Sequence, residues 1–204
     1  MRLDTLLSEE IRLTAARRAH LELMHAVEDV FRRIDATVTF TLRNGTLAEL
    51  KKPLGKIYGE KLLIVKPGQI TPTHFHDQKM EDIINRGGDG DLVVQLWNST
   101  PDNGLAETEV TVSCDGVRRH VPAGGAITLG PGESVCLPQR LYHKFWGEKT
   151  KGMALIGEVS RVNDDRTDNH FHQPMGRFPT IEEDEAPLHL LVGDYGRYYS
   201  PGKN

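Results

Sequence analysis

The sequence predicts a mostly β protein: a sandwich or barrel of short strands with α-helix at its N-terminus. Three observations predict it. Apolar residues recur at helical spacing only near the start, where Leu23, Val27, Val30, Phe31 and Ile34 share one face between about residues 8 and 34. The period then changes to two, with Phe40 and Leu42 alternating with Thr39 and Thr41. From there to about residue 160, short apolar stretches are punctuated by Pro67-Gly68, Gly87-Gly88, Asp115-Gly116, Gly124-Gly125 and Pro131-Gly132. Many short strands joined by Gly/Pro turns are the mark of a closed or double-layered β architecture.

The elements follow in order. Residues 1–36 read as an amphipathic helical segment packing on something larger, with Glu28, Asp29, Arg32 and Arg33 on its polar faces. Residues 37–204 read as the β domain, and the two together as one structural domain of 204 residues. Asn44-Gly45 reads as a tight turn after the first strand. Further strands are expected at Leu62–Val65, Leu92–Trp97, Val110–Cys114, Val117–Val121, Ala126–Leu129, Ser134–Leu137 and Met153–Val159. The tail from Asp164 is polar and turn-rich, and its acidic run, Glu182 to Glu185, reads as solvated surface.

Composition excludes several classes. The net charge of −4 and the lack of a long basic stretch argue against nucleic acid as a partner. No apolar run approaches the roughly 20 residues that span a bilayer, so no membrane partner is expected. The N-terminus is charged throughout and lacks the apolar centre of a signal peptide. Cys114 and Cys136 stand in strand-like stretches and form no CxxC pair, so they read as buried thiols in a reducing cytoplasm.

The chemistry concentrates in one stretch. His74 and His76 are two apart, and side-chain alternation on a strand turns both imidazoles to one side. Glu81 follows five residues later, far enough for a bend to return its carboxylate to the same point. His143, in Leu141-Tyr142-His143-Lys144-Phe145, can close the site from a later strand. Three imidazoles and a carboxylate suit one divalent ion, Mn²⁺, Fe²⁺, Co²⁺, Ni²⁺ or Zn²⁺, with positions left for water or substrate oxygens. Taken alone, the His-x-His pair fits accidental solvent-facing or core histidines equally well.

The wider spacing is more specific. Gly68, His74, His76, Glu81 and Gly88 reproduce the first signature of the cupins, and Gly132, Pro138 and His143 resemble the second. Arg140 stands where many cupins have Gly, and Gly147 where they have Asn. Both departures touch turn geometry rather than metal ligands. The resemblance implies a cupin jelly roll.

Longer segments resemble one cupin family, the bacterial D-lyxose ketol-isomerases. They are Tyr58-Gly-Glu-Lys61, His74 to Gly88, Pro131-Gly-Glu-Ser-Val-Cys-Leu-Pro138, Leu141 to Trp146, Gly157-Glu-Val-Ser-Arg-Val-Asn-Asp-Asp165 and Asp168-Asn-His-Phe171. The likeness runs from about Phe40 to about Tyr195; the N-terminal helices resemble the family less. It implies an aldose–ketose isomerase acting on D-lyxose and D-xylulose, and on D-mannose and D-fructose, with Mn²⁺ as the usual metal. Other cupins are Fe²⁺ dioxygenases or non-catalytic sugar binders, and the metal motif is shared by all of them.

Within that implied reaction, Glu158 is the candidate base, because apolar strand neighbours would desolvate it and tune it for proton transfer. Lys61 is the candidate donor to a substrate hydroxyl or to the enediolate oxygen. Asp165, Asp168 and Arg177 are further candidates for sugar hydroxyls or loop closure, with a salt bridge or cap as the competing role. Trp97 and Trp146 could stack on a sugar, though core packing suits them better. Exposed sheet edges suggest a homodimer.

Overall fold

A computed structural model describes residues 37–52, 55–164 and 167–174; the helical segment expected in residues 1–36 lies outside the described residues. The chain divides into the units Met1–Gln173 and Pro174–Asn204, and every described strand belongs to the first. Twelve strands are present among the described residues: β1 (Val38–Asn44), β2 (Tyr58–Val65), β3 (His74–His76), β4 (Glu81–Gly88), β5 (Leu92–Asn98), β6 (Val110–Cys114), β7 (Val117–Val121), β8 (Ala126–Leu129), β9 (Ser134–Leu137), β10 (Leu141–Gly147), β11 (Ala154–Arg161) and β12 (Asn169–Phe171). They form a seven-stranded sheet ordered β1-β2-β11-β4-β9-β6-β7 and a five-stranded sheet ordered β12-β3-β10-β5-β8. All pairings between these strands are antiparallel. This is the double-layered β architecture that the strand pattern predicts, in keeping with the jelly roll that the cupin resemblance implies.

Strand β1 is more exposed than its alternation suggests. It is an edge strand, its pairing shifts register between Thr41 and Arg43, and Leu42 is left exposed. Asn44-Gly45 does not make a two-residue hairpin; a longer connection with a 3₁₀ turn at Glu49–Lys51 precedes β2. The β6–β9 strands have the bounds that the sequence alone indicates.

Alternation along the strands builds the core between the sheets. Leu63 and Val65 of β2, Ala154 and Ile156 of β11, and Ile83 of β4 meet Leu92, Val94 and Leu96 of β5, Ile127 and Leu129 of β8, and Phe145 of β10. Each loses nearly all contact with water, worth roughly 1.5–3 kcal/mol for a fully buried large aliphatic side chain. At the other end of the same inward stripes the residue types change: Lys61 precedes Leu63 on β2, Glu158 and Ser160 follow Ile156 on β11, Glu81 precedes Ile83 on β4, and His143 precedes Phe145 on β10. All five are buried. The apolar half holds the sandwich together and leaves its other end free to carry charge.

Both departures from the cupin pattern have a physical account. Gly147 lies against the backbone of Lys66, where a Cβ would come within 2.6 Å of the Lys66 carbonyl oxygen. An Asn has no room there. Arg140 adopts a positive φ of 60°, the left-handed conformation for which glycine is the usual choice; a side chain there costs about 1–2 kcal/mol. The thiols of Cys114 and Cys136 are free, and burial raises both, Cys136 to about 11 with Asp82 adding to the effect. Cys114 faces the core and Cys136 is half-buried, so both are poor nucleophiles.

Restoring the common cupin residue with Gly147→Asn should destabilise the protein by about 1–3 kcal/mol, because overpacking meets backbone rather than a mobile side chain. Urea unfolding of both proteins measures it; equal midpoints would mean that the Lys66 backbone yields freely.

Candidate metal centre

The two sheets supply different chemistry to one buried point. The five-stranded sheet contributes imidazoles. His74 and His76 face inward from β3, with Phe75 between them on the other side of the sheet, and His143 of β10 is the cross-strand partner of His74. The ring centroids of His74 and His143 lie 4.3 Å apart, and those of His74 and His76 4.9 Å. One ligand atom from each of the three rings falls within 4.8 Å of the others, so these histidines could hold a metal ion.

Backbone carbonyls set the tautomers of two rings. A carbonyl can only accept, so His74 Nδ1–H donates to Pro72 O at 2.7 Å and His143 Nδ1–H to Leu141 O at 3.0 Å. Each Nε2 then carries a lone pair. Burial, and after it the neighbouring His143 and His76, hold the pKa of His74 well below its ordinary 6.5, so its ring is neutral. His143 Nε2 is buried without a hydrogen bond, 3.0 Å from Glu81 Oε1, and His76 Nδ1 also lacks one. Buried ring nitrogens without a hydrogen-bond partner are unfavourable unless a proton or a cation satisfies them. Imidazole nitrogens and a carboxylate form a donor set that fits a divalent ion.

The seven-stranded sheet contributes carboxylates and ammoniums. Glu81, on β4, has Oε2 3.5 Å from His76 Nε2. Burial alone would raise its carboxyl, but Lys79, His76 and His143 outweigh that and hold it well below the ordinary carboxylate range. Glu158 of β11 is the cross-strand partner of Lys61 on β2. Lys61 Nζ lies 3.3 Å from Glu158 Oε1, and Lys79 Nζ lies 2.8 Å from the same oxygen. Lys79 Nζ also reaches Glu81 Oε2 at 2.6 Å. Asn163 Oδ1 accepts from Lys61 Nζ at 2.8 Å and from Lys79 Nζ at 3.2 Å. Glu158 is therefore buried among ammoniums rather than among the apolar strand neighbours expected from sequence.

Other candidates fall elsewhere. Asp168 is buried and used by the backbone: Oδ1 accepts from Gln78 N–H at 2.7 Å and Oδ2 from Lys79 N–H at 3.0 Å. It braces the turn that delivers Lys79 and Glu81. Trp97 and Trp146 lie on the outward side of their strands, on either side of the Lys144 ammonium, 5.8 Å from each ring. Neither shares the inward face with His143. A groove of about 540 Å³ lined by Leu50, Ile57, Met80, Val159 and Arg161 also takes in Glu81, Asp82 and Ser160, so it borders the buried cluster along β4 and β11. Asp165 and Arg177 lie outside the described residues.

A model of the family described as D-lyxose isomerase matches residues 22–195. The chain belongs to the D-lyxose isomerase family. It is 52% identical over 171 residues to a D-lyxose/D-mannose isomerase of Serratia proteamaculans, covering 84% of this chain and 73% of the relative. A D-lyxose/D-mannose isomerase of Escherichia coli O157:H7 is 49% identical over 159 residues, covering 78% and 69%. Among solved structures, the ligand-free L-ribose isomerase of Cellulomonas parahominis shares the fold, with a TM-score of 0.50 at 16% identity, covering 67% of this chain and 69% of that one.

Two residues that the sequence did not single out sit at the heart of this family member's site, Lys79 and Asn163. Lys79 has a usable signal: it lies two residues before Glu81, so an extended chain puts both on one side. Asn163 lies beyond the end of β11, where no periodicity points to it.

Acid should weaken the metal-free protein. The unfolded chain protonates His74 near its ordinary pKa of 6.5, the folded chain only at lower pH, so unfolding takes up a proton below that value. Glu81 adds the same sign below its ordinary 4.5. Stability present above about pH 6.5 should therefore fall as pH drops through 6 and 5. Urea midpoints across that range check it; a constant or rising midpoint would contradict a buried neutral His74.

Proposed function

We propose that the protein is a metal-dependent aldose–ketose isomerase that interconverts D-lyxose with D-xylulose, and D-mannose with D-fructose. One observation carries the reading: a cluster of three imidazoles is joined through Glu81 and Lys79 to the buried Glu158 and Lys61. Similarity to relatives named D-lyxose/D-mannose isomerase supplies the sugars. D-Lyxose and D-mannose share their configuration at C2 and C3, so one set of contacts near the reacting carbons serves both.

His74, His76, Glu81 and His143 would hold the ion, with Mn²⁺ the proposed metal. A bound divalent cation supplies Lewis acidity toward the sugar's carbonyl and adjacent hydroxyl oxygens.

The chain's own residues handle the proton. Glu158 takes the proton from C2 as the carbonyl electron pair moves to O1, giving an enediolate. It returns that proton to C1 while the O2 hydroxyl proton passes to O1 and C2 becomes the carbonyl. Atoms and electrons balance with no external redox partner. Lys61, Lys79 and Ser160 all contact Glu158 through Oε1, with Ser160 Oγ–H at 3.3 Å, which reserves Oε2 for the substrate proton. The two ammoniums also counter negative charge on the enediol oxygens. We further propose that the protein is cytoplasmic and a homodimer.

The test is ketose formation from D-lyxose and D-mannose by chelator-stripped protein, with and without added Mn²⁺. Mn²⁺-dependent xylulose is expected. Stoichiometric metal binding with no ketose from any free pentose or hexose would sink the reading; oxygen uptake would point to a dioxygenase.

Glu158→Gln should lower kcat by about 10²–10⁴-fold while Mn²⁺ stoichiometry stays the same. Deuterium at C2 should wash partly into solvent; complete retention at C1 would indicate hydride transfer instead of a carboxylate base.

A further inference from the structure

The inward face of β3 and β10 carries the imidazoles; the outward face of the same strands carries a second, closed set of contacts. Phe75, between His74 and His76, stacks on His170 of β12 at 4.8 Å and 12°. Its other contacts are the Arg140 guanidinium, 4.8 Å from the ring centroid, and Tyr142, edge-on at 4.7 Å. Arg140 and His170 also converge on one carboxylate. Arg140 Nη1 donates to Asp77 Oδ1 at 2.7 Å, and His170 Nε2 lies 3.0 Å from Asp77 Oδ2. The second guanidinium nitrogen donates to Asn103 Oδ1 at 2.8 Å and Thr100 O at 3.2 Å. Tyr142 O–H donates to Asn103 O at 2.6 Å, which ties the same loop to β10.

The backbone of Arg140 completes the connection. Its N–H donates to His76 O at 2.8 Å. Arg140 therefore touches the residue after one imidazole by its side chain, that imidazole's own residue by its backbone, and stands three positions before His143. It does so at a φ of 60°, which a glycine would adopt without strain. An arginine kept in a glycine conformation must be held there by what its side chain binds.

The geometry points to Arg140 as a positioning residue for the metal centre. Its guanidinium, anchored on Asp77 and the 100–103 loop, locks the turn before β10 to the end of β3 and so fixes His76 and His143 at ligating separation. It touches neither substrate nor metal. The inference rests on the proposal that these histidines hold a divalent ion.

Arg140→Gly tests it, because glycine relieves the backbone and removes the clamp. Chelator-stripped full-length protein is titrated with Mn²⁺ by calorimetry, and the thermal midpoint of the stripped protein is measured alongside. Arg140→Gly should weaken Mn²⁺ binding by about 10–100-fold, the usual effect of losing support behind a ligand. Arg140→Lys, which keeps a charge for Asp77 but cannot bridge to Asn103 and Thr100, should fall between it and wild type. In the double variant with Asp77→Ala, the two losses should be less than additive, since both break one contact. A merely structural Arg140 would lower the thermal midpoint and leave the Mn²⁺ affinity of the folded protein at the wild-type value; that result would overturn the inference. Should Arg140→Gly not fold, Asp77→Ala breaks the same ion pair and reads the same affinity. Failure of wild type to bind Mn²⁺, Co²⁺ or Zn²⁺ at all would instead remove the metal reading on which the inference stands.

Discussion

Everything at the working end of this molecule depends on burying charge in balanced amounts. Glu81 and Glu158 lie inside the sandwich with Lys61 and Lys79, two carboxylates against two ammoniums, with the imidazoles beside them. A carboxylate alone in such a place is expelled or protonated. Lys79 is the member that makes the arrangement coherent, because one ammonium spans both acids, at 2.6 Å from Glu81 and 2.8 Å from Glu158. Removing one member of a buried ion pair typically costs about 3–5 kcal/mol, since its partner is left uncompensated. The four groups are thus a unit, and the strands carrying them are held in the register that the unit needs.

That register comes from the apolar half of the same strands. Leu63 and Val65, Ile156 and Ala154, Ile83 and Phe145 fix which face of each strand points inward. A one-residue slip would turn Lys61, Glu158 or His143 out to solvent along with them. Core packing and site geometry are therefore not separable here: the alternation that buries valine and leucine at one end delivers charge to a common point at the other.

The sequence revealed what strand alternation and fixed spacing encode. His74 and His76 share a side because a strand has period two, and Glu81 and His143 follow at distances that the antiparallel fold returns to that side. The structure gathers these four with Glu158 and Lys61. Chemistry that depends on what a residue meets across the sheets was not visible. Lys79 shares a side with Glu81 by spacing alone, but its reach to Glu158 comes from the fold, with Asp168 holding its backbone N–H. Asp168 carried the residue type of a sugar ligand, yet both its oxygens cap a turn. Trp97 and Trp146 had the composition of a sugar platform, but pairing with β10 puts them on the outward side. Glu158 stands in an apolar stretch of sequence, while its spatial neighbours are ammoniums from a different strand and a different loop.

On the proposed reading, the cluster also suits both a metal and a proton transfer. Its two carboxylates are already matched by two ammoniums, and burial keeps His74 neutral beside them. A divalent cation placed there makes the site positive overall. Positive potential disfavours protonated histidine and favours anionic oxygen on a sugar, which is the charge that forms when a proton leaves carbon. The same contacts orient Glu158, because Lys61 and Lys79 both hold its Oε1. On the proposed reading, the C2 proton is made acidic by the ion that the three inward imidazoles would hold, and Glu158 is the carboxylate placed to take it.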